Sequence, residues 1–213
     1  MSIDNSFLES KPQSHIIEKN NLALDQETRE ITAYLDGPYS HSYSLGMYEH
    51  AVLVAGGTGI TFCLPQVMEL LQRSVNGDPI ITKSVSLIWM IQSFDMIRWI
   101  QPEMQQLNGL VQQSGMSIQM HVYAYRETIP YEENLHDFLQ VHHAQRVDIP
   151  AAIDTEVSNA IEEKSKTMCI ISCGPRHIVA LVGNKVSSVN AKIAMGQLAT
   201  LRDVRFVPEL FIF

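Results

Sequence analysis

The segment AVLVAGGTGITFCLP, residues 51–65, constrains the fold of this chain more than any other part of the sequence. It opens with apolar residues, which is typical of a strand buried on both faces of a parallel sheet. The glycines that follow allow a tight turn and let another molecule approach the backbone. Residues 67–71, VMELL, then have helical character. A strand, a glycine turn and a helix N-terminus together present backbone N–H groups to an anion, and a phosphate fits that description best.

This glycine turn differs from the GxGxxG motif of dinucleotide-binding proteins. No third glycine follows where the helix begins at Ile60 and Thr61, and no acidic residue is clearly placed to hold a ribose. A GGTG sequence is also compatible with a plain structural turn. Features elsewhere in the chain are therefore needed to distinguish a phosphate-binding turn from a plain structural turn.

The composition excludes several classes of function. A net charge of −8 opposes a nucleic-acid partner, because no basic stripe replaces the counterions of a phosphate backbone. The three cysteines, Cys63, Cys169 and Cys173, form no CxxC pair, and their apolar surroundings predict buried, reduced thiols. No apolar run approaches the roughly 20 residues of a membrane helix, and the N-terminus lacks the apolar core of a secretion signal. We therefore expect a soluble, cytoplasmic chain without a transmembrane segment.

Strands and helices are predicted to alternate along the chain. Further strands are expected at 85–91, 117–125, 167–173 and 204–213, and helices at 94–110, 153–164 and 177–198. Residues 126–143 resist assignment. The alternation predicts an α/β fold, a parallel sheet of about five strands with helices on both faces. Since ligands bind beyond the carboxyl ends of such strands, the turns at Gly56–Gly59 and Cys173–Arg176 are expected to line one crevice.

Other candidate features favour structural interpretations. Trp89 and Trp99 are predicted to lie in the core, as large apolar residues in a strand and a helix. His142 and His143 lack a cysteine or carboxylate at ligand spacing, so no metal site is predicted. The absence of a GxSxG motif opposes serine-hydrolase chemistry.

Several marks occur in a specific order along the chain. They are DGPYS at 36–40, VAGGTGITFCLP at 54–65, IWMIQSFDMIRWI at 88–100, MHVYAYR at 120–126, VDIP at 147–150, SCGPR at 172–176 and the terminal PELFIF. Together they resemble the NAD(P)H-binding region of the ferric-chelate reductase and NADPH oxidase family, within the ferredoxin–NADP reductase superfamily. The form GGTGITFxLP is most similar to fungal ferric reductases. The resemblance covers residues 31–213, apart from the segment around 128–145.

The resemblance implies a binding site for NADPH or NADH. In that family the glycine turn holds the pyrophosphate, which implies Gly56, Gly57, Thr58, Gly59, Ile60 and Thr61 here. The CGP turn lies near the nicotinamide, which implies Cys173, Gly174 and Pro175, followed by Arg176. The terminal aromatic residue, here Phe213, stacks on the flavin ring. Cys173 and Phe213 would then lie at the reacting rings, where hydride passes to FAD before electrons leave through haems toward ferric iron.

The same resemblance implies partners beyond these 213 residues. Residues 1–49 are expected to be a mobile N-terminus and the tail of a flavin-domain edge strand, and residues 50–213 the NAD(P)H-binding domain. A flavin module and a haem-containing membrane portion would lie upstream or in a separate protein, on the cytoplasmic side of a membrane. We therefore expect an oxidoreductase that is incomplete as this chain alone, binding the nucleotide weakly and without turnover.

Two residues depart from the family pattern. Gln92 stands where similar proteins often carry arginine, which leaves Arg126, Arg146 and Arg176 as candidates for a 2′-phosphate. Phe213 stands where tryptophan is frequent, and the aromatic face is kept. The choice between NADPH and NADH stays open. So do two alternatives, a non-catalytic nucleotide-binding regulatory or remnant module and a fragment of an NADPH oxidase that reduces oxygen.

Overall fold

A parallel sheet of six strands organises the computed structural model, which describes residues 44–126, 136–198 and 200–210. The strands are β1 (His50–Gly56), β2 (Ser84–Ile91), β3 (Ser117–Ala124), β4 (Leu139–His143), β5 (Thr167–Gly174) and β6 (Asp203–Leu210). Their order in the sheet is β4-β3-β2-β1-β5-β6, and every neighbouring pair is parallel. The predicted α/β fold is confirmed, with six strands rather than about five.

Four helices cover the two faces of the sheet, as predicted. They are α1 (Ile60–Val75), α2 (Gln101–Ser114), α3 (Ile149–Glu162) and α4 (Arg176–Ala194). Helices α1 and α2 contribute to one apolar cluster and α3 and α4 to the other. Because helices cover both faces, β1 is buried at every position. In the described part of the chain, no helix is both long enough and apolar enough to span a membrane.

The sixth strand, β4, lies in the segment that the sequence left unassigned. It pairs only with β3, at the edge of the sheet. Of its five residues only Leu139 is buried, and the others include Gln140, His142 and His143. An edge strand with one covered position produces no apolar run, which is the signal that identified the central strands.

The ends of three predicted elements differ from the observed ones. Helix α3 begins at Ile149 because the Asp148 carboxylate accepts a hydrogen bond from the backbone N–H of Ala151 at 3.1 Å, an N-cap that the apolar period did not indicate. Helix α4 ends at Ala194 rather than near Leu198. Strand β6 runs over Asp203–Leu210, and the predicted continuation to 213 lies outside the described residues, as does the segment 1–43.

The two tryptophans have opposite environments. Trp89 in β2 is completely buried, as predicted, whereas the prediction for Trp99 is wrong, since that side chain is 63% exposed. Residues 94–100 form a 3-10 helix in which Phe94, Ile97 and Ile100 are buried. Because a 3-10 helix repeats every three residues, these positions occupy the buried face and turn Trp99 toward solvent.

The winding direction of the sheet changes next to β1. From β1 the chain adds β2, β3 and β4 on one side, and it then places β5 and β6 on the other side. The connections on the two sides of β1 therefore leave the sheet in opposite directions. In open parallel sheets this switch point opens a crevice at the carboxyl ends of the strands, here the ends of β1 and β5.

Candidate functional site

The main cavity at the carboxyl edge of the sheet lies at this switch point. It has a volume of about 510 Å³. One wall is the turn after β1, with Gly57 and Thr58, and the opposite wall is the start of α4, with Arg176 and His177. The remaining lining comes from the end of β2, the 3-10 helix and β3, through residues Met90, Ile91, Gln92, Met96 and Tyr125.

The glycine turns after β1 and β5 are in direct backbone contact. A Cβ atom on Gly59 would lie 2.1 Å from the carbonyl oxygen of Cys173, and one on Gly174 would lie 3.1 Å from the Cα of Gly56. Neither position has room for a side chain, because the neighbouring atoms belong to strand and turn backbone. The two glycine turns that the sequence placed at one edge thus form adjoining walls of the same cavity.

Gly57 is the position where the turn opens to the cavity. Its φ angle is +55°, in the left-handed region that favours glycine, and the space where a Cβ would stand is empty within 4 Å. Two side chains donate hydrogen bonds to the carbonyl groups of this turn. The indole Nε1–H of Trp89 donates to the Gly57 carbonyl at 2.8 Å, and the hydroxyl of Thr61 donates to the Thr58 carbonyl at 2.9 Å.

The cavity is suited to an anion. Helix α1 begins at Ile60 and α4 at Arg176, so both N-termini lie beside it, and no described side chain caps either of them or places an acidic group in their first turns. Uncapped N-terminal N–H groups carry a partial positive charge. Arg176 and His177 add exposed basic side chains to the same wall. A phosphate group fits this combination of donors.

A second cavity of about 340 Å³ adjoins the first and shares four of its residues, Met90, Tyr125, His177 and Ile178. The ring of Tyr125 is in contact with two guanidinium groups, that of Arg126 at 5.6 Å and that of Arg146 at 5.2 Å from its centroid. Arg126 also donates from Nη1 to the side-chain oxygen of Gln92 at 3.2 Å. The two cavities together form a two-lobed site, with Arg176 in the lining of the first lobe and Arg146 in that of the second.

The structure brings together only part of the predicted site. Gly56, Gly57, Thr58, Pro175 and Arg176 all line the main cavity. The side chains of Ile60 and Cys173 are buried in the core instead, and Phe213 lies outside the described residues. The roles assigned to all these residues remain predictions.

The thiol of Cys173 packs in the apolar cluster on the α1 side of the sheet, and Cys63 belongs to the same cluster. Burial, with a smaller contribution from Glu209, raises the pKa of Cys173 to about 11, so the thiol is protonated at neutral pH. The backbone of Cys173 contacts the glycine turn through its carbonyl group beside Gly59.

Sequence reasoning missed His177 and Tyr125, which line both lobes. The sequence signal for His177 is its position directly after Arg176, in the first turn of a helix, where side chains can face an anion site. Tyr125 carries no such signal, because its contacts with Arg126 and Arg146 depend on how β3 and the segment before α3 lie together. In residues 44–126, 136–198 and 200–210, no group of three or more His, Cys, Asp or Glu side chains is arranged to hold a metal ion.

Comparison with known proteins identifies the family. Residues 48–187 match the family described as the ferric reductase NAD binding domain. The chain belongs to this family. The match covers β1 to β5 and most of α4, and therefore includes both glycine turns and both lobes of the site.

Three relatives of this NAD-binding domain are ferric reductases by name. The chain is 27% identical over 114 residues to the ferric/cupric reductase transmembrane component 2 of Schizosaccharomyces pombe, which covers 53% of this chain and 18% of that protein. It is 29% identical over 119 residues to the chloroplastic ferric reduction oxidase 7 of Arabidopsis thaliana, covering 54% and 16%. It is 30% identical over 74 residues to the probable cell surface ferric reductase kap2 of Aspergillus oryzae, covering 34% and 10%. The matched part spans less than a fifth of each relative.

A third cavity, of about 360 Å³, lies at the opposite edge of the sheet, where β1, β2 and β3 begin. The imidazole of His50 is buried there, with Nε2 at 3.3 Å from a Glu156 oxygen and Nδ1 at 2.6 Å from the Ser84 hydroxyl. That hydroxyl donates to Glu163 at 2.6 Å, and Ser86 donates to Glu156 at 2.8 Å. The polar groups therefore satisfy one another and join β1, β2 and α3.

Proposed function

We propose that this NAD-binding domain binds NADPH across the two-lobed site and serves as the nucleotide-binding part of a flavin-dependent ferric-chelate reductase. The observation that carries the proposal is the convergence of the glycine turn and two uncapped helix N-termini on one cavity at the switch point. Family membership and the names of the relatives support the same assignment.

The residues fit a dinucleotide from one end of the site to the other. The backbone of Gly57 and Thr58, with Arg176 and His177 opposite, would hold the diphosphate by N–H donors and positive charge. The turn at residues 173–175, with the backbone of Cys173, would lie beside the nicotinamide. The Cys173 thiol is buried and protonated there, so it would act as a neutral packing group and not as a nucleophile.

A preference for NADPH over NADH follows from the second lobe. A 2′-phosphate needs cationic donors, and the planar guanidinium is the group best suited to it. The guanidinium groups of Arg126 and Arg146 both lie over the Tyr125 ring, and Gln92 accepts a hydrogen bond from Arg126 through its side-chain oxygen. Gln92 would therefore contribute to 2′-phosphate binding indirectly. It would orient the guanidinium of Arg126 and would not bind the phosphate itself.

Bound NADPH would supply a hydride for an FAD held by a separate flavin module, and a haem-containing membrane partner would carry electrons to ferric iron. The part of this chemistry that the chain's own residues perform is binding and orientation. The contact of Phe213 with the flavin belongs to the same proposal. The oxidoreductase activity, the acceptor and the partners are properties of a whole reductase, of which the relatives in the comparison are examples.

The double variant Arg126→Ala/Arg146→Ala tests the proposal through nucleotide discrimination. We expect NADP⁺ to bind at least roughly tenfold more weakly, since hydrogen bonds to charged groups contribute about 1.5–3 kcal/mol, and NAD⁺ affinity to stay within about twofold. Isothermal titration calorimetry with both nucleotides measures this. Arg202→Ala is the matched control, because Arg202 is exposed and lies next to β6 at the amino edge of the sheet.

A folded wild-type chain that binds neither NADP⁺ nor NAD⁺ would contradict the proposed function and favour the remnant-module alternative. An equal loss of affinity for both nucleotides in the double variant would contradict only the 2′-phosphate assignment.

A further inference from the structure

We propose that Trp89 is the positioning residue of the phosphate-binding turn, because its indole N–H holds the Gly57 carbonyl and thereby directs the neighbouring Thr58 N–H into the cavity. The inference rests on the proposed function, since it concerns the diphosphate end of the same site. Nothing about Trp89 in the sequence pattern distinguishes it from an ordinary core residue.

The location of Trp89 makes the contact possible. Its side chain is completely buried on the α1 side of the sheet, and Trp89 pairs in register with Ala55 of β1, the residue before the glycine turn. The small side chain of Ala55 leaves room for the indole beside the end of β1. The ring reaches past it, and Nε1 donates to the Gly57 carbonyl at 2.8 Å.

The direction of the Thr58 N–H follows from the geometry of the peptide bond. The group that joins Gly57 to Thr58 is planar and trans, so its C=O and N–H point in opposite directions. The C=O points down to Trp89 in the core. The N–H of Thr58 therefore points away from the core, on the side where Gly57 and Thr58 line the cavity.

Gly57 needs such a restraint because glycine by itself does not fix the peptide orientation. At φ +55° with open space around it, this residue has access to several backbone conformations, and only some of them turn the N–H groups toward a phosphate. The indole hydrogen bond selects one of them before the ligand arrives. A donor that is already oriented binds an anion without a further ordering cost.

The Thr61 hydroxyl acts on the next peptide in the same way. It donates to the Thr58 carbonyl at 2.9 Å, from the first turn of α1. Thr61 was predicted to bind the pyrophosphate directly. The structure shows its hydroxyl engaged with the turn, which makes Thr61 a second support of the turn's backbone.

Trp89→Phe removes the indole donor and keeps an aromatic ring in the core. We expect NADP⁺ to bind roughly tenfold more weakly, because one carbonyl loses its partner and the turn loses its restraint. Adenosine 2′-monophosphate carries no diphosphate, and its affinity should stay within about twofold of the wild type. Calorimetry with both probes separates this diphosphate-selective loss from a general weakening of the fold. Trp99→Phe is the matched control, since Trp99 is exposed and lies in the 3-10 helix of residues 94–100.

A second measurement uses the unaltered chain, so that the result does not depend on folding of the variant. In ¹⁵N NMR spectra the Trp89 indole N–H should exchange slowly with water and should shift when NADP⁺ is added, while that of Trp99 exchanges rapidly. An unshifted Trp89 signal at saturating NADP⁺ would overturn the inference. So would equal NADP⁺ affinity in Trp89→Phe and wild type, or equal losses for both probes. If the wild type binds adenosine 2′-monophosphate and NADP⁺ with equal affinity, the diphosphate adds nothing to binding. The diphosphate part of the proposed function then fails, and the inference fails with it.

Discussion

Gly59→Ala is expected to lower the free energy of unfolding by about 3 kcal/mol and to abolish measurable nucleotide binding. The new Cβ would lie 2.1 Å from the Cys173 carbonyl oxygen and 2.8 Å from its carbonyl carbon. Those atoms are backbone of β5, which is paired with β1 on one side and β6 on the other, so they have no freedom to retreat. The two turns that form the cavity must separate instead. Urea denaturation followed by circular dichroism measures the first effect, and calorimetry with NADP⁺ the second.

The φ angle of Gly59 is −55°, which any L-residue adopts readily, so the loss would come from the contact with β5 and not from backbone strain. Gly109→Ala is the matched control. Gly109 lies in α2 with no atom within 4 Å of a Cβ, and alanine there should stabilise the fold by about 0.5–1 kcal/mol. A Gly59→Ala protein as stable as wild type would show that the two turns are not held against each other.

Glu156→Gln is expected to lower the free energy of unfolding at neutral pH by about 3 kcal/mol, because an amide in place of the buried carboxylate leaves hydrogen-bonding groups around it unpaired. Glu156 is 5% exposed and its carboxylate faces His50, Ser86 and Asn159. The two ring nitrogens of His50 lie 3.3 Å from a Glu156 oxygen and 2.6 Å from the Ser84 hydroxyl, which itself donates to Glu163. A change at Glu156 therefore disturbs a network that joins β1, β2 and α3.

The same variant is expected to change how stability depends on pH. Burial by itself raises the pKa of Glu156, but the hydrogen bonds from His50 and Ser86 outweigh it, and the pKa in the fold lies below the ordinary value of 4.5. A carboxyl group with a lowered pKa contributes stability above its unfolded pKa, and this contribution is lost as the pH falls through the folded value. The difference between wild type and Glu156→Gln should thus be largest at neutral pH and should shrink on acidification below about pH 4.5.

Glu162→Gln is the control for this experiment, because Glu162 lies on the same helix and lines the same cavity but is exposed. Its effect should stay within about 0.5 kcal/mol at every pH. Urea denaturation at a series of pH values measures all three proteins. A stability difference for Glu156→Gln that is independent of pH would contradict the role given to the charged carboxylate.

Elements with strong local signals could be predicted from the amino-acid sequence. The apolar run, the glycines and the helix after them predicted β1, the turn and α1, because burial on both faces and tight turning are properties of neighbouring residues. The alternation of such elements predicted a parallel α/β sheet and two glycine turns at one edge of it. The ordered motifs also identified the family that the residues 48–187 match.

Which residues come into contact could be learned only from the folded chain. The bond from Trp89 to Gly57, the contact of Tyr125 with Arg146 and the buried pair of His50 and Glu156 join residues far apart in the chain. The burial of the Cys173 side chain also follows from the fold, since it depends on which face of β5 this residue occupies. Such contacts are set by the order of the strands and by their register, where a shift of one residue exchanges the two faces of a strand. Neither the strand order nor the register is encoded in the local pattern of apolar and polar residues, so these contacts had to be observed.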